Sequence, residues 1–247
     1  MTLDEVLATV TARVSYLRGL TTTGDGDHWQ RCNELVADRP TLERVVAGTK
    51  AGFGTEDDAV AASLFVQSYA FRVAGSTLGA YALGLPVPRV GPAVTAVRLD
   101  KPRPTAVAYL DPHVEEMDAP GLAHALVDGH FSPLVAAVHA AYTVGERLLW
   151  GNVASSCAAV FRALESSGAD VAAVRDRAER FMAVAPALAG LGGFTIVAAG
   201  GHEGWFWDRT SCCLWFRTAS GQLCDNCSLV DAAELRARRE RELATAS

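Results

Sequence analysis

The sequence lacks a long uninterrupted run of hydrophobic residues. Its most apolar windows are 59–85, which Gln67 and Arg72 interrupt, and 185–201, which is short and rich in glycine. Neither window has the roughly 20 consecutive apolar residues of a transmembrane helix. The first residues, "MTLDEVLATV", are acidic where a signal peptide is basic, and no continuous apolar segment follows them. We therefore expect a cytoplasmic protein that does not span a membrane.

The sequence also lacks an excess of basic residues. It has 22 Lys and Arg against 28 Asp and Glu, for a formal net charge of -6. This balance gives no bulk electrostatic support for binding nucleic acid. The glycine-rich segments "TGDGDH" and "AGFGTE" lack the third glycine of a dinucleotide fingerprint, and the sequence has no Walker motif. We expect neither a nucleic-acid partner nor a resident nucleotide cofactor.

Helix signals dominate the first 190 residues. At 247 residues, the chain can form one large domain, or one domain with a small module. Thr55 followed by three acidic residues predicts a helix start, as does the pair Ser132-Pro133, and Asp170 opens a third helix. We expect the first of these helices to end near Leu83, the second to run, whole or broken, to about Gly168, and the third to end near 185. Residues 93–100 and 105–110 read as short strands.

The composition changes after residue 190. The segment "GLGGFTIVAAGGHEGWFWDRTSCC" contains six glycines and two strand-like stretches, and "DAAELRARRERELA" predicts a charged terminal helix. The arginines of that helix could form a docking face for an acidic electron donor, or a solvated face paired with its glutamates. We predict an α+β fold with a large, mainly helical body at 1–198 and a small cysteine module with the terminal helix at 199–247.

Four of the six cysteines lie within sixteen positions, in the pattern C-C-x10-C-x2-C. This cysteine quartet consists of Cys212, Cys213, Cys224 and Cys227. In a reducing compartment, clustered thiols indicate a metal site rather than disulfides. The two remaining cysteines, Cys32 and Cys157, are expected to pack as small apolar residues.

The adjacent pair, Cys212 and Cys213, bears on the choice of metal. Zinc sites usually space both ligand pairs by two to four residues, and neighbouring side chains in extended chain point in opposite directions. A two-iron cluster is a larger target that vicinal sulfurs could reach through a local kink. The spacing favours an iron–sulfur cluster over zinc and leaves both open.

The segment "RTSCCLWFRTASGQLCDNCSL" resembles the C-terminus of the ferric-siderophore reductases of the FhuF type. That family places an Arg before the cysteine pair and an aromatic-Arg after it, as Arg209 and Phe216-Arg217 do here. "LLWGNVAS" at 148–155 is similar to the family's Leu-Trp-Gly-Asn helical segment. The resemblance implies a [2Fe-2S] cluster bound by the cysteine quartet, in a cytosolic enzyme that reduces ferric iron in imported hydroxamate siderophores.

One-electron chemistry suits this expectation. Hydroxamates are hard oxygen donors that hold ferric iron strongly and ferrous iron poorly, so one electron releases the metal. Electrons would come from an external donor, such as a ferredoxin or a NAD(P)H- or flavin-dependent reductase. Two alternatives stay open: a non-catalytic [2Fe-2S] iron or redox sensor, and a zinc-stabilised interaction module.

Residues around the cysteine quartet supply further candidates. Three could tune the cluster electrostatically: Arg209, Arg217 and His202. Three could contact substrate: Trp205, Trp215 and Asn152. The tryptophans could equally form a small hydrophobic core, and Asn152, inside an apolar helix, could make a structural hydrogen bond or one to the cysteine module.

Overall fold

The computed structural model describes residues 1–24, 28–100 and 103–245, which leaves part of the "TGDGDH" segment outside the described residues. Helices occupy more than half of the chain and the strands are short, which confirms the predicted α+β class. The helices are α1 Leu3–Arg13, α2 Cys32–Ala37, α3 Arg39–Phe53, α4 Asp58–Ala82, α5 Ala119–Ala123, α6 Ser132–Ala141, α7 Glu146–Glu165, α8 Val171–Val184 and α9 Ala232–Thr245. The strands are β1 Gly19–Leu20, β2 Trp29–Arg31, β3 Val87–Pro88, β4 Thr95–Arg98, β5 Ala106–Tyr109, β6 Val114–Glu115, β7 Gly192–Ala199 and β8 His202–Arg209.

Helix α4 is the centre of the body. Asp57 caps it, accepting hydrogen bonds from the amides of Ala59 and Val60. The predicted start at Thr55 is therefore two residues early, because the Thr55 hydroxyl accepts only the Asp57 amide. Most α4 side chains are buried, and the helix packs chiefly against α7. In the described parts of the chain, no helix combines the length and apolarity that crossing a bilayer requires.

The helix predicted to start at Ser132-Pro133 in fact starts earlier. Asp118 caps α5, and a π-helical segment, His124–Phe131, joins α5 to α6 without a break. The Ser132 amide donates to the Val127 carbonyl five residues back, so the π-helical turn ends just before the proline. Pro133 has no N–H to donate and lies where the hydrogen-bond pattern changes from π-helical to α-helical. The proline therefore looks like a helix start in the sequence, although the helix continues through it.

The remaining helix boundaries follow the sequence signals. Helix α6 ends at Ala141 and α7 ends at Glu165, just before Gly168, which adopts a φ of 78°. Asp170 caps α8, accepting a 3.1 Å hydrogen bond from the Ala173 amide. The broken form of the predicted helix is therefore confirmed, as is the start of α8.

Short strands cover one side of the body. Their order in the largest sheet is β1-β5-β4-β2, with β1 parallel to β5 and the other pairs antiparallel. Strands β4 and β5 lie inside the two segments predicted as strands, each shorter than predicted by two or more residues. Strands β3 and β6 form a separate antiparallel pair.

The β7–β8 hairpin carries the chain into the cysteine module. Its register runs from Gly192 opposite Arg209 to Ala199 opposite His202. Gly200 and Gly201 both have positive φ, as a tight two-residue hairpin turn requires. The predicted domain boundary at 198/199 falls inside this hairpin, where Ala198 pairs with Glu203 and Ala199 with His202.

Candidate metal centre

The cysteine quartet lies on the loop between β8 and α9. Cys213 and Cys227 are buried, whereas Cys212 and Cys224 are half-buried. Leu214, directly after the adjacent pair, has a φ of 67° and is the only non-glycine residue with positive φ in the described chain. This left-handed residue turns the backbone directly after Cys213.

The spacing of one sulfur pair suits metal ligation. Cys213 Sγ and Cys224 Sγ lie 3.7 Å apart. Two sulfurs at about 2.3 Å from one tetrahedral ion would be separated by about 3.8 Å. The Cys227 amide donates to the Cys224 carbonyl at 3.0 Å, closing the turn of the C-x-x-C half. A backbone amide also donates to sulfur: that of Leu214 to Cys212, at 3.3 Å.

The electrostatics favour one negative charge shared between the thiols of Cys213 and Cys224. The hydrogen bond with Cys224 lowers the pKa of the Cys213 thiol to about 6, and the same bond raises the pKa of Cys224. Burial raises the pKa of Cys212, although the Leu214 amide opposes this shift. The Arg209 guanidinium favours the thiolate form of Cys212, Cys213 and Cys224.

These donors fit a [2Fe-2S] cluster. Four thiolates are the ligand set of such clusters, and amide hydrogen bonds to the sulfurs are among the contacts that set their potential. The fit is one of donor chemistry rather than of present geometry. Across residues 1–24, 28–100 and 103–245, no three His, Cys, Asp or Glu side chains are arranged to hold a metal ion, so the side chains of the quartet would have to converge further to bind the cluster.

A buried hydrogen-bond network anchors the cysteine loop to the helical body. Arg209 Nη2 donates to Asn152 Oδ1 at 2.6 Å, and Arg209 Nε donates to the Ser211 carbonyl. Asn152 Nδ2 donates to Ser63 Oγ at 2.8 Å and to its carbonyl at 2.9 Å. Ser63 Oγ donates in turn to the Cys213 carbonyl at 2.7 Å. Because Ser63, Asn152 and Arg209 are all buried, each needs these partners.

A glycine on α7 makes room for the same loop. A Cβ at Gly151 would lie 1.9 Å from Ser211 Oγ and 3.2 Å from Ser211 Cβ, so any other residue here requires the Ser211 side chain to move. A glycine in a helix interior costs about 1 kcal/mol relative to alanine, and here it permits the close approach. Ser63 and Gly151 were not predicted as site residues. Gly151 gave a signal, since it interrupts a helix, whereas Ser63 in an apolar helix gave none.

The three candidate tuning residues differ in their surroundings. Arg209 acts on three of the cysteines, as described above. Arg217 pairs with Asp57 Oδ2 at 2.7 Å and its side chain is 48% exposed, so solvent and a carboxylate screen its charge. His202 is exposed at the hairpin turn, seven residues along β8 from Arg209, or roughly 23 Å in an extended strand. The structure does not bring His202 to the cysteine quartet.

The candidate substrate residues are mostly internal. Trp205 is 3% exposed and its ring stacks on Phe194, with centroids 3.8 Å apart. It belongs to the main hydrophobic core rather than to an open surface, as does Trp207. Trp215 is half-buried beside the quartet. Asn152 makes the hydrogen bonds described above and is fully buried, so its partners are the cysteine module and α4.

The other two cysteines lie within the helical body. Cys32 and Cys157 are both fully buried in the main core. Burial raises the pKa of Cys32 to about 11 and that of Cys157 to about 12. Both side chains therefore remain protonated thiols and pack as apolar groups.

The terminal helix has a salt-bridged face. Arg236 pairs with Glu240 at 2.8 Å, and Arg238 with Glu234 at 2.9 Å, each at i,i+4 spacing. Arg239 turns inward, is 5% exposed and pairs with Asp208 on β8.

Comparison with protein families gives the same assignment as the site. The family described as ferric iron reductase FhuF-like transporter matches residues 63–194, a little over half of the chain. The FhuF 2Fe-2S C-terminal domain matches residues 209–229, which hold the cysteine quartet and Arg209. The chain therefore belongs to the FhuF-like ferric iron reductase family and has its [2Fe-2S] domain. No curated protein matches the sequence.

Proposed function

We propose that this protein reduces ferric iron held in hydroxamate siderophores, in the cytoplasm, with electrons from a separate donor. Membership of the family supports the reduction of ferric iron. Hydroxamates are proposed as the ligands of that iron because their hard oxygens hold ferrous iron poorly, so that reduction releases the metal. A ferredoxin or a NAD(P)H- or flavin-dependent reductase is the proposed donor, since the sequence carries neither a dinucleotide fingerprint nor a Walker motif.

The observation that carries this proposal is the anchored cysteine loop. Cys212, Cys213, Cys224 and Cys227 would hold the cluster, which supplies one-electron transfer when bound. Cys213 and Cys227 lie inside, whereas Cys212 and Cys224 are half-exposed. The protein thus keeps two ligands from solvent and leaves one edge of the quartet within reach of a redox partner.

The residues around the quartet have distinct roles in this proposal. Arg209 supplies positive charge beside three of the ligands and stabilises their anionic form. Asn152 and Ser63 hold Arg209 and the Cys213 carbonyl in place through buried hydrogen bonds. Pre-organisation of this kind keeps the geometry of the ligands fixed as the charge changes. The chain needs no acid–base pair for this reaction, because only an electron moves.

Spectroscopy and turnover test the proposal. Absorption and EPR spectra of anaerobically purified protein, before and after dithionite, should show a [2Fe-2S] cluster with sulfide and iron at two per chain. The reduced protein, mixed with a ferric trihydroxamate, should reoxidise rapidly and deliver Fe(II) to a ferrous-specific chelator. A cluster that cycles with dithionite but not with any of several ferric siderophores would indicate a sensor. Colourless protein with stoichiometric zinc would indicate an interaction module.

A further inference from the structure

A cleft of about 520 Å³ lies between the β7–β8 hairpin and the start of α9. Three arginines line it, Arg209, Arg236 and Arg239, together with one carboxylate, Asp208. Apolar side chains, among them Leu235, complete the walls. The cleft is therefore large enough for a compact chelate and offers it both apolar contact and guanidinium donors.

The cleft adjoins the cysteine quartet. Arg209 lines it and also acts electrostatically on Cys212, Cys213 and Cys224. Ser228, which also lines the cleft, follows Cys227 directly in the chain. Electron transfer weakens steeply with distance, so a ligand here would be well placed to receive an electron. A second cleft, of about 550 Å³, lies between α5 and α8 and has no residue of the cysteine loop in its lining.

The polar groups of the cleft are mainly hydrogen-bond donors. Asp208 is already engaged, since it accepts from Arg239 and from Thr195. Glu240 offsets Arg236 in part, although the Arg236 side chain remains 64% exposed. Among the described residues, Arg209 donates to neutral acceptors only, and the buried Nε of Arg239 has no acceptor. A ligand rich in acceptor oxygens suits this lining better than a ligand with an ammonium group.

We propose that this cleft binds the ferric chelate and selects chelates whose outer groups are carboxylates or other oxygen acceptors. The inference rests on the proposed reductase function and adds the location and the charge preference of the substrate. Arg236, exposed at the rim and outside the network around the quartet, is the residue that distinguishes an anionic chelate from a cationic one.

A matched pair of chelates tests the charge preference. Ferrioxamine B carries a free ammonium group, and its N-succinyl derivative carries a carboxylate on the same trihydroxamate iron centre. Stopped-flow reoxidation of the reduced protein, followed against chelate concentration, gives a half-saturation concentration for each. We expect the half-saturation concentration of the succinyl form to be lower than that of ferrioxamine B by a factor of about three. This factor corresponds to one favourable charge pair exposed to solvent. Calorimetry of the oxidised protein with the redox-inert gallium chelates should show the same order of affinity.

Two arginine variants locate the binding site. Arg236 pairs with Glu240 at 2.8 Å, and Arg180 on α8 pairs with Asp176 at 3.0 Å; both side chains are largely exposed, at 64% and 68%. Arg180 lines the second cleft. We expect Arg236→Gln to abolish the preference for the carboxylate chelate and leave the cluster potential unchanged, and Arg180→Gln to have no effect.

The outcomes separate the two proposals. If wild-type protein is reoxidised by both chelates with no preference, or if Arg180→Gln rather than Arg236→Gln removes the preference, the cleft is not the substrate site and the reductase function stands. If neither chelate reoxidises the reduced protein while the gallium chelates still bind in the expected order, the cleft binds siderophores and the reductase function fails.

Discussion

Asn152 Oδ1 accepts a 2.6 Å hydrogen bond from Arg209 Nη2, and this contact joins two segments that lie 57 positions apart. Asn152 belongs to α7, in the residues matched by the larger family domain, whereas Arg209 is the first residue matched by the [2Fe-2S] domain. The two matched segments therefore meet at this buried contact, as they also do where Ser63 Oγ donates to the Cys213 carbonyl. Loss of the Asn152–Arg209 contact should affect both the stability of the body and the hold on the cluster.

Asn152→Ala should destabilise the protein by about 2–4 kcal/mol, because it leaves the buried Arg209 guanidinium and Ser63 with unsatisfied groups. Urea unfolding of the anaerobic holoprotein measures this change. The control is Asn33→Ala on the exposed face of α2, which should stay within about 0.5 kcal/mol of wild type. A similar small effect at Asn152 would contradict the role of the network.

Gly151→Ala should loosen the cysteine loop, because the new Cβ would occupy the position of Ser211 Oγ. We expect a loss of about 1–3 kcal/mol and a lower iron content per chain. Adding Ser211→Gly removes the obstructing side chain and should restore part of the loss. Gly48→Ala on α3 is the control: nothing lies near its Cβ, so it should instead stabilise the helix by up to about 1 kcal/mol. Wild-type stability in Gly151→Ala would show that the loop does not depend on this close approach.

Removing the charge of Arg209 should lower the reduction potential of the cluster. Reduction adds a negative charge, which a nearby cation stabilises, and an interaction of about 1 kcal/mol corresponds to roughly 40 mV for one electron. Protein-film voltammetry of Arg209→Gln measures the shift. Arg217→Gln should give a smaller change, because Arg217 is half-exposed and paired with Asp57. An equal or larger shift from Arg217 would refute this order.

Serine substitution at each position of the cysteine quartet should remove or strongly alter the cluster spectrum. Cys32→Ala and Cys157→Ala should keep it, since both thiols are buried in the core with raised pKa values. Iron, sulfide and the visible spectrum of each purified variant provide the measurement. A normal spectrum in any quartet variant would remove that cysteine from the ligand set.

The free energy of unfolding should decrease as the pH is lowered from 6.5 to about 4, because His130 is buried as a neutral imidazole. Burial lowers the pKa of His130 to about 4, and its Nδ1 donates to the Val90 carbonyl while Nε2 accepts from the Tyr69 hydroxyl. Below pH 6.5 the unfolded chain binds a proton that the folded protein excludes, so unfolding is favoured by up to about 1.4 kcal/mol per pH unit. His130→Gln should remove this part of the pH dependence. An unchanged slope in the variant would assign it to other groups.

The sequence predicted local features well and long-range contacts poorly. The cysteine quartet, the cap at Asp170 and the salt-bridged face of α9 all depend on neighbours within a few positions, which spacing reveals. Asn152 in an apolar helix indicated a need for a partner, but several partners were possible. Ser63 lies 150 positions from Cys213, and no local pattern links them. The start of the α5–α6 helix was missed because a π-helical segment changes the hydrogen-bond register before Pro133.

Ser63 anchors the loop through the carbonyl of Cys213 and leaves the sulfur free. This contact needs no metal, and helix α4, which supplies Ser63, belongs to the large hydrophobic core. The loop can therefore dock on a folded body before iron arrives, unlike zinc fingers, whose folding requires the metal. Cluster-assembly factors would then meet a cysteine loop whose backbone is already held on a folded body, so the apoprotein could receive a cluster without first having to fold.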